Sequence, residues 1–235
     1  MICLTALLPN VASAQTTDSL LHLLHFSRMP ASQKEGDAEN LSIRRTHAKE
    51  LLGKSYQKSI VKKGEGIASL DEYIYHWTDR ELRTKWKKYT RKISNAIMVE
   101  SKKHSFDPVF LMAVIENESS FNPEIVGSFG EIGLMQITPD TAKWIAKKYN
   151  IPFSGAKSLK NPVTNIALGS AYLSYLREKF GFKSQLYLAA YNMGSRKVQR
   201  FLAQQKLPKQ YPTRVMQRYV RFYTQLGRES RIALN

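Results

Sequence analysis

The chain has 235 residues, enough to bury a sizeable core as one large domain or as one domain with an appendage. Its hydrophobic share of 43% and aromatic share of 11% are globular values, unevenly spread, with polarity concentrated between Arg28 and Lys63. A formal charge of +17 points to polyanionic partners, and the lone cysteine, Cys3, excludes a disulfide framework within one chain.

Met1 to Ala14 is apolar and uncharged and ends Val11-Ala12-Ser13-Ala14, the small-x-small pattern of a secretory cleavage site. Residues 1–14 therefore read as a signal peptide that lacks its charged beginning, with a start codon upstream; the alternative is an apolar segment packed on the body. Residues 15–69 read as a polar, partly helical N-terminal extension or linker, with a short apolar patch at Ser19 to Phe26 and loop composition from Met29 to Gly36. Deleting everything before Leu70 is expected to leave a folded core.

From Leu70 the pattern turns helical, with Tyr89, Ile93 and Ile97 at the spacing of one face. Asp107-Pro108 is a helix start, since Asp supplies a capping oxygen and Pro tolerates the first helical position; Phe110, Leu111, Val114 and Ile115 follow as its inward residues. Asn161-Pro162 repeats the device ahead of Ile166, Leu173, Leu176 and Phe180. Tyr187 to Tyr191 and Val215 to Leu226 give two further helices, and strand alternation is nearly absent. The expectation is a mainly α domain over 70–235, its core at about 88–227. No stretch reaches the roughly 18 to 20 apolar residues of a membrane-spanning helix.

Glu118 ends the apolar helix just before Ser119-Ser120-Phe121-Asn122-Pro123, where burial against apolar neighbours would raise its pKa toward that of a working general acid. Glu116, about 200° round the helix, is expected to face solvent. Gly133-Leu134-Met135-Gln136 is a glycine-bracketed segment offering one amide. Ala190-Tyr191-Asn192-Met193-Gly194 presents a phenol beside an amide, which suits a sugar. Each element alone is as easily a surface or core residue.

Their order resembles the soluble lytic transglycosylase catalytic domain. The matching blocks are Glu118-Ser119 with Phe121-Asn122-Pro123; Gly130 and Gly133-Leu134-Met135-Gln136-Ile137 with Pro139, Thr141 and Ala142; Asn161-Pro162 with Asn165-Ile166 and Leu168-Gly169; and Ala190-Tyr191-Asn192 with Gly194. The resemblance covers about 135 residues, from near Ile93 to near Gly227, and implies a compact, goose-type lysozyme-like fold acting on the β-1,4 bond from N-acetylmuramic acid to N-acetylglucosamine. Carried over by position, Glu118 is the sole catalytic residue, Gln136, Tyr191 and Asn192 line the glycan cleft, and Met135 sits against the glycan or the glutamate. Two places depart from the pattern. Gly127 stands where the family has a serine, with Ser128 following it. Near the C-terminus Val215-Met216-Gln217-Arg218-Tyr219-Val220 keeps the pattern's tyrosine, Tyr219, and loses its acidic residue.

The resemblance implies a one-carboxylate mechanism that leaves a 1,6-anhydromuramoyl end, where ordinary glycosidases use two carboxylates. The alternatives are a lysozyme-type muramidase, with Glu124, Glu131 or Asp140 as second carboxylate, and an inactive basic wall-binding module. Asp140 directly precedes a helical stretch, where capping explains it. Gly53-Lys54-Ser55 lacks the first glycine of a phosphate loop, and the five histidines show no metal-ligand spacing. No cofactor, metal or specific nucleic acid is expected. The partners are peptidoglycan glycan strands and anionic wall polymers, the latter held by a C-terminal face with ten Lys or Arg between Arg196 and Arg231 against Glu229 alone. The expected setting is periplasmic or extracellular, and the expected state a monomer.

Overall fold

A computed structural model describes residues 31–66 and 70–232. The expected signal at 1–14 and the patch from Ser19 to Phe26 lie outside the described residues. The chain is mainly α. Among the described residues ten helices run in order: α1 Ala31–Leu52, α2 Ile60–Gly64, α3 Leu70–Glu81, α4 Thr90–Lys103, α5 Pro108–Ser119, α6 Pro139–Tyr149, α7 Pro162–Lys179, α8 Ser184–Met193, α9 Ser195–Ala203 and α10 Gln210–Ile232. Short 3-10 turns occupy Gly53–Lys58, Thr84–Tyr89 and Ala156–Lys160. Among the described residues the extended pairings are isolated bridges, Val126 with Ile132 and Ile132 with Ile137.

Three helices begin alike, with a side-chain oxygen capping the first turn and proline at the first position. Asp107 accepts from the Val109 N–H at 2.9 Å, Asn161 from those of Val163 and Thr164, and Thr138 from that of Thr141 at 3.3 Å. Thr138, rather than Asp140, is thus the cap of α6, and Asp140 sits in its first turn, where the helix dipole favours an anion.

Helix α5 is buried on every side from Pro108 to Ile115 and packs on α4 and α10. A helix apolar all round has to be surrounded, and this one forms the axis of the main core. A smaller core of Ile132, Ile137, Ala142, Ile145, Ala146, Leu159, Leu168 and Ala171 holds α6 and the segments beside it against α7.

The structure differs most from the sequence reading in the N-terminal flank. Helix α1 already begins at Ala31, within the stretch of loop composition, and Ala48, Leu51, Tyr56 and Val61 belong to the main core. Polar residues bind the flank more tightly still. The His47 Nδ1 accepts the Asp107 N–H at 3.0 Å, and burial, helped by the Arg177 charge, holds this imidazole well below the usual histidine range, hence neutral and able to accept. Arg177 of α7 grips Glu50 through Nε at 2.9 Å and Nη2 at 2.6 Å while donating to the His104 and Ser105 carbonyls. Arg44 donates to the Tyr223 hydroxyl at 3.3 Å. Composition marks these residues only as polar; Arg44 and His47 are buried, and Glu50 is half-buried, because their partners lie on α5, α7, α8 and α10.

Candidate active site

Glu118 occupies the last turn of α5, which stops at Ser120 in the left-handed conformation, φ +48°. Phe121, also at positive φ, is buried and turns the chain away from the helix. Ser119 links the helix end to the next loop, its hydroxyl reaching the Leu134 carbonyl at 2.8 Å and that of Ile115 at 3.0 Å. The serine that follows the glutamate is thus a structural rivet, placing Glu118 beside the Gly133-Leu134-Met135-Gln136 segment.

A buried asparagine holds that segment from below. Asn165 of α7 accepts the Met135 N–H at 2.7 Å and donates to the carbonyls of Ile132 at 2.7 Å and Leu159 at 3.0 Å. Gly133 lies at φ +80°, and a Cβ there would meet the Asn165 Nδ2 at 2.5 Å and the Leu159 carbonyl at 2.7 Å, so no side chain fits. Gly169 is demanded in the same way, by the Met135 side chain at 2.6 Å from where its Cβ would stand.

The Glu118 carboxylate accepts a hydrogen bond from the hydroxyl of Tyr211 in the first turn of α10. Burial is the largest influence on it and raises its pKa to about 7; the charge of Glu131 adds to the rise, while Tyr211, Arg214 and Asn117 oppose it. Half of such a carboxyl is protonated at neutral pH, the condition for delivering a proton and then taking one back. Tyr191 stands close by, its hydroxyl donating to the Met135 carbonyl at 2.8 Å and its ring tilted against Tyr172 at 5.5 Å. Burial and the Glu118 charge hold its phenol protonated.

The structure therefore brings Glu118, Tyr191 and the backbone of the Met135 segment together and adds Tyr211, which no local motif marks. Gln136 lies on the same loop, half-buried, and its amide nitrogen donates to the carbonyls of Ile125 at 3.2 Å and Gly133 at 2.9 Å. The Met135 side chain is fully buried against Gly169 and Ser170. Asn192 is exposed at the end of α8. Ser128 is exposed at the tip of a turn closed by the Gly130 N–H on the Gly127 carbonyl at 3.1 Å, next to Phe129, which is 88% exposed. Tyr219 lies elsewhere: it donates to Asp107 at 2.7 Å at the opposite end of α5, which puts it about 16 Å along the helix axis from Glu118.

Glu116 is not left to solvent. Arg221 and Arg218 of α10 clamp it, the latter at 3.4 Å. Glu116→Gln is expected to cost about 1 kcal/mol of stability by releasing both guanidinium groups, while activity stays near the parent level. A melt and a turbidity assay on one preparation check both halves, and a loss of activity larger than the loss of folded protein would give Glu116 a part in the chemistry.

The model of the transglycosylase SLT domain matches residues 95–213, about half of the chain. The chain belongs to this family. The SLT segment is 39% identical over 94 residues to the soluble lytic murein transglycosylase of Escherichia coli, covering 40% of this chain and 15% of that protein. A membrane-bound lytic murein transglycosylase C of Histophilus somni is 31% identical over 128 residues, 48% of this chain and 35% of that one. Among solved structures, the 70 kDa soluble lytic transglycosylase of Escherichia coli superposes with a TM-score of 0.54 at 25% identity, over 70% of this chain and 30% of that one. An inactive mutant of the Pseudomonas aeruginosa lytic transglycosylase superposes with a TM-score of 0.51 at 25% identity, over 71% and 30%. The chain thus spans about 15% of the length of the soluble relatives it matches. Its SLT fold is lysozyme-like and helical. Among the described residues no helix is long and apolar enough to cross a membrane, and no three His, Cys, Asp or Glu are grouped to hold a metal ion.

Proposed function

We propose that the chain is a peptidoglycan lytic transglycosylase that cleaves between N-acetylmuramic acid and N-acetylglucosamine and leaves a 1,6-anhydromuramoyl end. The observation that carries this reading is Glu118, held at a pKa of about 7 and hydrogen-bonded to Tyr211 beside the Met135 loop. Protonated, Glu118 gives its proton to the glycosidic oxygen. The substrate's own acetamido group relieves the charge growing at the anomeric carbon. Glu118, now a carboxylate steadied by Tyr211, takes the proton of the C6 hydroxyl as that oxygen closes the ring, and no water is consumed. Tyr191 and Asn192 border the groove, and Gln136 contributes by fixing the Ile125 and Gly133 carbonyls rather than by touching sugar. The working unit is proposed to include residues 38–66, because the helix that bears Glu118 is capped against them. Anionic wall polymers as further partners, and a periplasmic or extracellular setting, belong to the same reading.

One observation favours hydrolysis. Glu131 is near enough for Glu118 to feel its charge, as a second carboxylate should be. Against this, the Glu131 Oε2 accepts the Phe129 N–H at 3.0 Å and is committed to its own turn. Mass spectrometry of digested peptidoglycan separates the two: anhydro muropeptides are one water lighter, and reducing ends alone would overturn the transglycosylase reading.

The neighbours of Glu118 also make a signed pH prediction. Cleavage needs the acid form at the outset, so the rate should fall as pH rises through about 7. Glu131→Gln removes a like charge and should move this alkaline limb to lower pH, with the anhydro product unchanged. Tyr211→Phe removes the hydrogen bond that favours the carboxylate, so it should move the limb to higher pH and slow turnover about tenfold or more. Rate profiles from pH 5 to 9 for the three proteins check the signs, and two limbs moving the same way would contradict this account of Glu118.

A further inference from the structure

Residues 80–92, from the last turn of α3 through the Thr84–Tyr89 turn into α4, hold seven cations, Arg80, Arg83, Lys85, Lys87, Lys88, Arg91 and Lys92, against one acid, Glu81. The segment lies ahead of the residues matched by the SLT model, so membership of the family does not account for it. Three of the cations are matched: Arg80 with Glu81 at 3.2 Å, Lys87 with Asp79 at 3.0 Å and Lys85 with Glu124. Arg83, Lys88 and Lys92 are exposed and meet no carboxylate within ion-pair distance among the described residues. Trp86 and Tyr89, half-buried against the core, fix the turn from beneath, so these charges stand on a rigid base.

Its position relative to the site is set by Lys85. That residue clasps Glu124 on the loop leaving Glu118, and Arg83 is near enough to lower the Glu124 carboxyl further. The next residue, Ile125, receives the Gln136 amide on its carbonyl. The cationic turn is therefore tied, through Glu124, to the loop that leads from Glu118 to the Ile125 carbonyl. N-acetylated sugars carry no charge; the negative groups of a glycan strand are the carboxylates of the peptides on its lactyl groups.

We propose that the turn at residues 83–92 is a second contact surface for the substrate, binding carboxylates of the peptide stems borne by the strand in the groove. This rests on the reading of the chain as a peptidoglycan lytic transglycosylase. The test uses binding, which does not require cleavage. Full-length protein carrying Glu118→Gln, with and without Arg83→Gln, Lys88→Gln and Lys92→Gln, is sedimented with purified sacculi and with the same sacculi after their carboxyls are capped as amides. Three exposed charge contacts are together expected to be worth about tenfold in affinity. The triple variant should bind native sacculi about tenfold more weakly and capped sacculi as well as its parent, since one charge cannot be lost twice. Circular dichroism verifies that all the proteins are folded. An undiminished affinity for native sacculi, an equal loss on capped sacculi, or a loss seen on anionic phospholipid vesicles instead would each overturn the proposal. Absence of anhydro products from the parent protein would overturn the activity alone and leave the binding result standing.

Discussion

Glu118→Gln is expected to abolish release of anhydro muropeptides while leaving a folded protein that still binds glycan. The amide matches the carboxyl in size and can accept the Tyr211 hydroxyl, so the geometry survives. It can neither deliver a proton to the glycosidic oxygen nor remove one from the C6 hydroxyl. A single acid or base contribution is worth about 10² to 10⁴ in rate, and one residue serving both half-steps places the loss at about 10⁴ or more.

The same substitution should stabilise the fold in a pH-dependent way. The folded protein holds Glu118 at a pKa of about 7 against an ordinary value of 4.5, so it binds the proton more tightly than the unfolded chain does. Folding of the parent is then unpenalised below about pH 4.5, weakens as pH rises from 4.5 to 7, and carries the full cost above 7. A displacement of this size corresponds to about 3 kcal/mol, which the partial exposure of Glu118 to solvent reduces to about 2. The glutamine variant carries no such cost, so its Tm should exceed the parent's by about 5 °C at pH 8 and match it at pH 4. Melts at the two pH values, beside turbidity clearance of purified sacculi, test both claims. Clearance near the parent rate would remove Glu118 from its catalytic role, and an equal gain in Tm at both pH values would show that its carboxyl is not held in the acid form.

What could be read from the chain alone follows the range of the interactions involved. The caps at Asp107 and Asn161 are legible because donor and acceptor lie two or three residues apart. Glu118 is legible because it ends an apolar helix inside an ordered series of motif blocks. Tyr211 touches the same carboxylate from 93 residues away, and a tyrosine opening a basic helix gives no local sign of its partner. Tyr219 shows the reverse error: it fits the family's linear pattern, yet the register of α10 turns it to Asp107. Met135 and Gln136 sit in a motif that suggests ligand contact, and the motif does not show that the Met135 side chain is buried against Gly169 and Ser170 or that the Gln136 amide nitrogen holds two carbonyls of its own loop. The attachment of the flank is illegible for a related reason. Hydrophobic periodicity counts apolar side chains, whereas α1 is fastened largely by Arg44, His47 and Glu50, polar residues whose complements lie far along the chain.

Removal of residues 1–66 should therefore leave no folded domain, contrary to what composition implies for this flank. The deletion takes Ala48, Leu51, Tyr56 and Val61 out of the main core, and burying such apolar side chains contributes about 1.5 to 3 kcal/mol each for the larger ones. It also strips Arg44 and His47 from the buried end of α5. There Asp107 accepts from Tyr219 at 2.7 Å, Tyr223 at 2.6 Å and the Val109 N–H at 2.9 Å, and the nearby positive charge that favours its carboxylate is the Arg44 guanidinium. Burial raises the pKa of this carboxyl while Arg44 and the two phenols oppose the rise, so loss of the guanidinium leaves an anion poorly compensated. Breaking such a buried charge arrangement costs about 3 to 5 kcal/mol. Together the losses, about 8 to 14 kcal/mol, are as large as the roughly 5 to 15 kcal/mol that holds a typical domain folded. A milder version isolates the electrostatic part: Arg44→Met keeps most of the side-chain volume and should still lower stability by about 2 to 3 kcal/mol. Urea titration of this variant, and the presence or absence of a cooperative transition in the deletion, provide the measurement. A deletion that melts cooperatively and clears sacculi would return the flank to the status of a dispensable linker, and the cap at Asp107 would then have to be held by α5 and α10 alone.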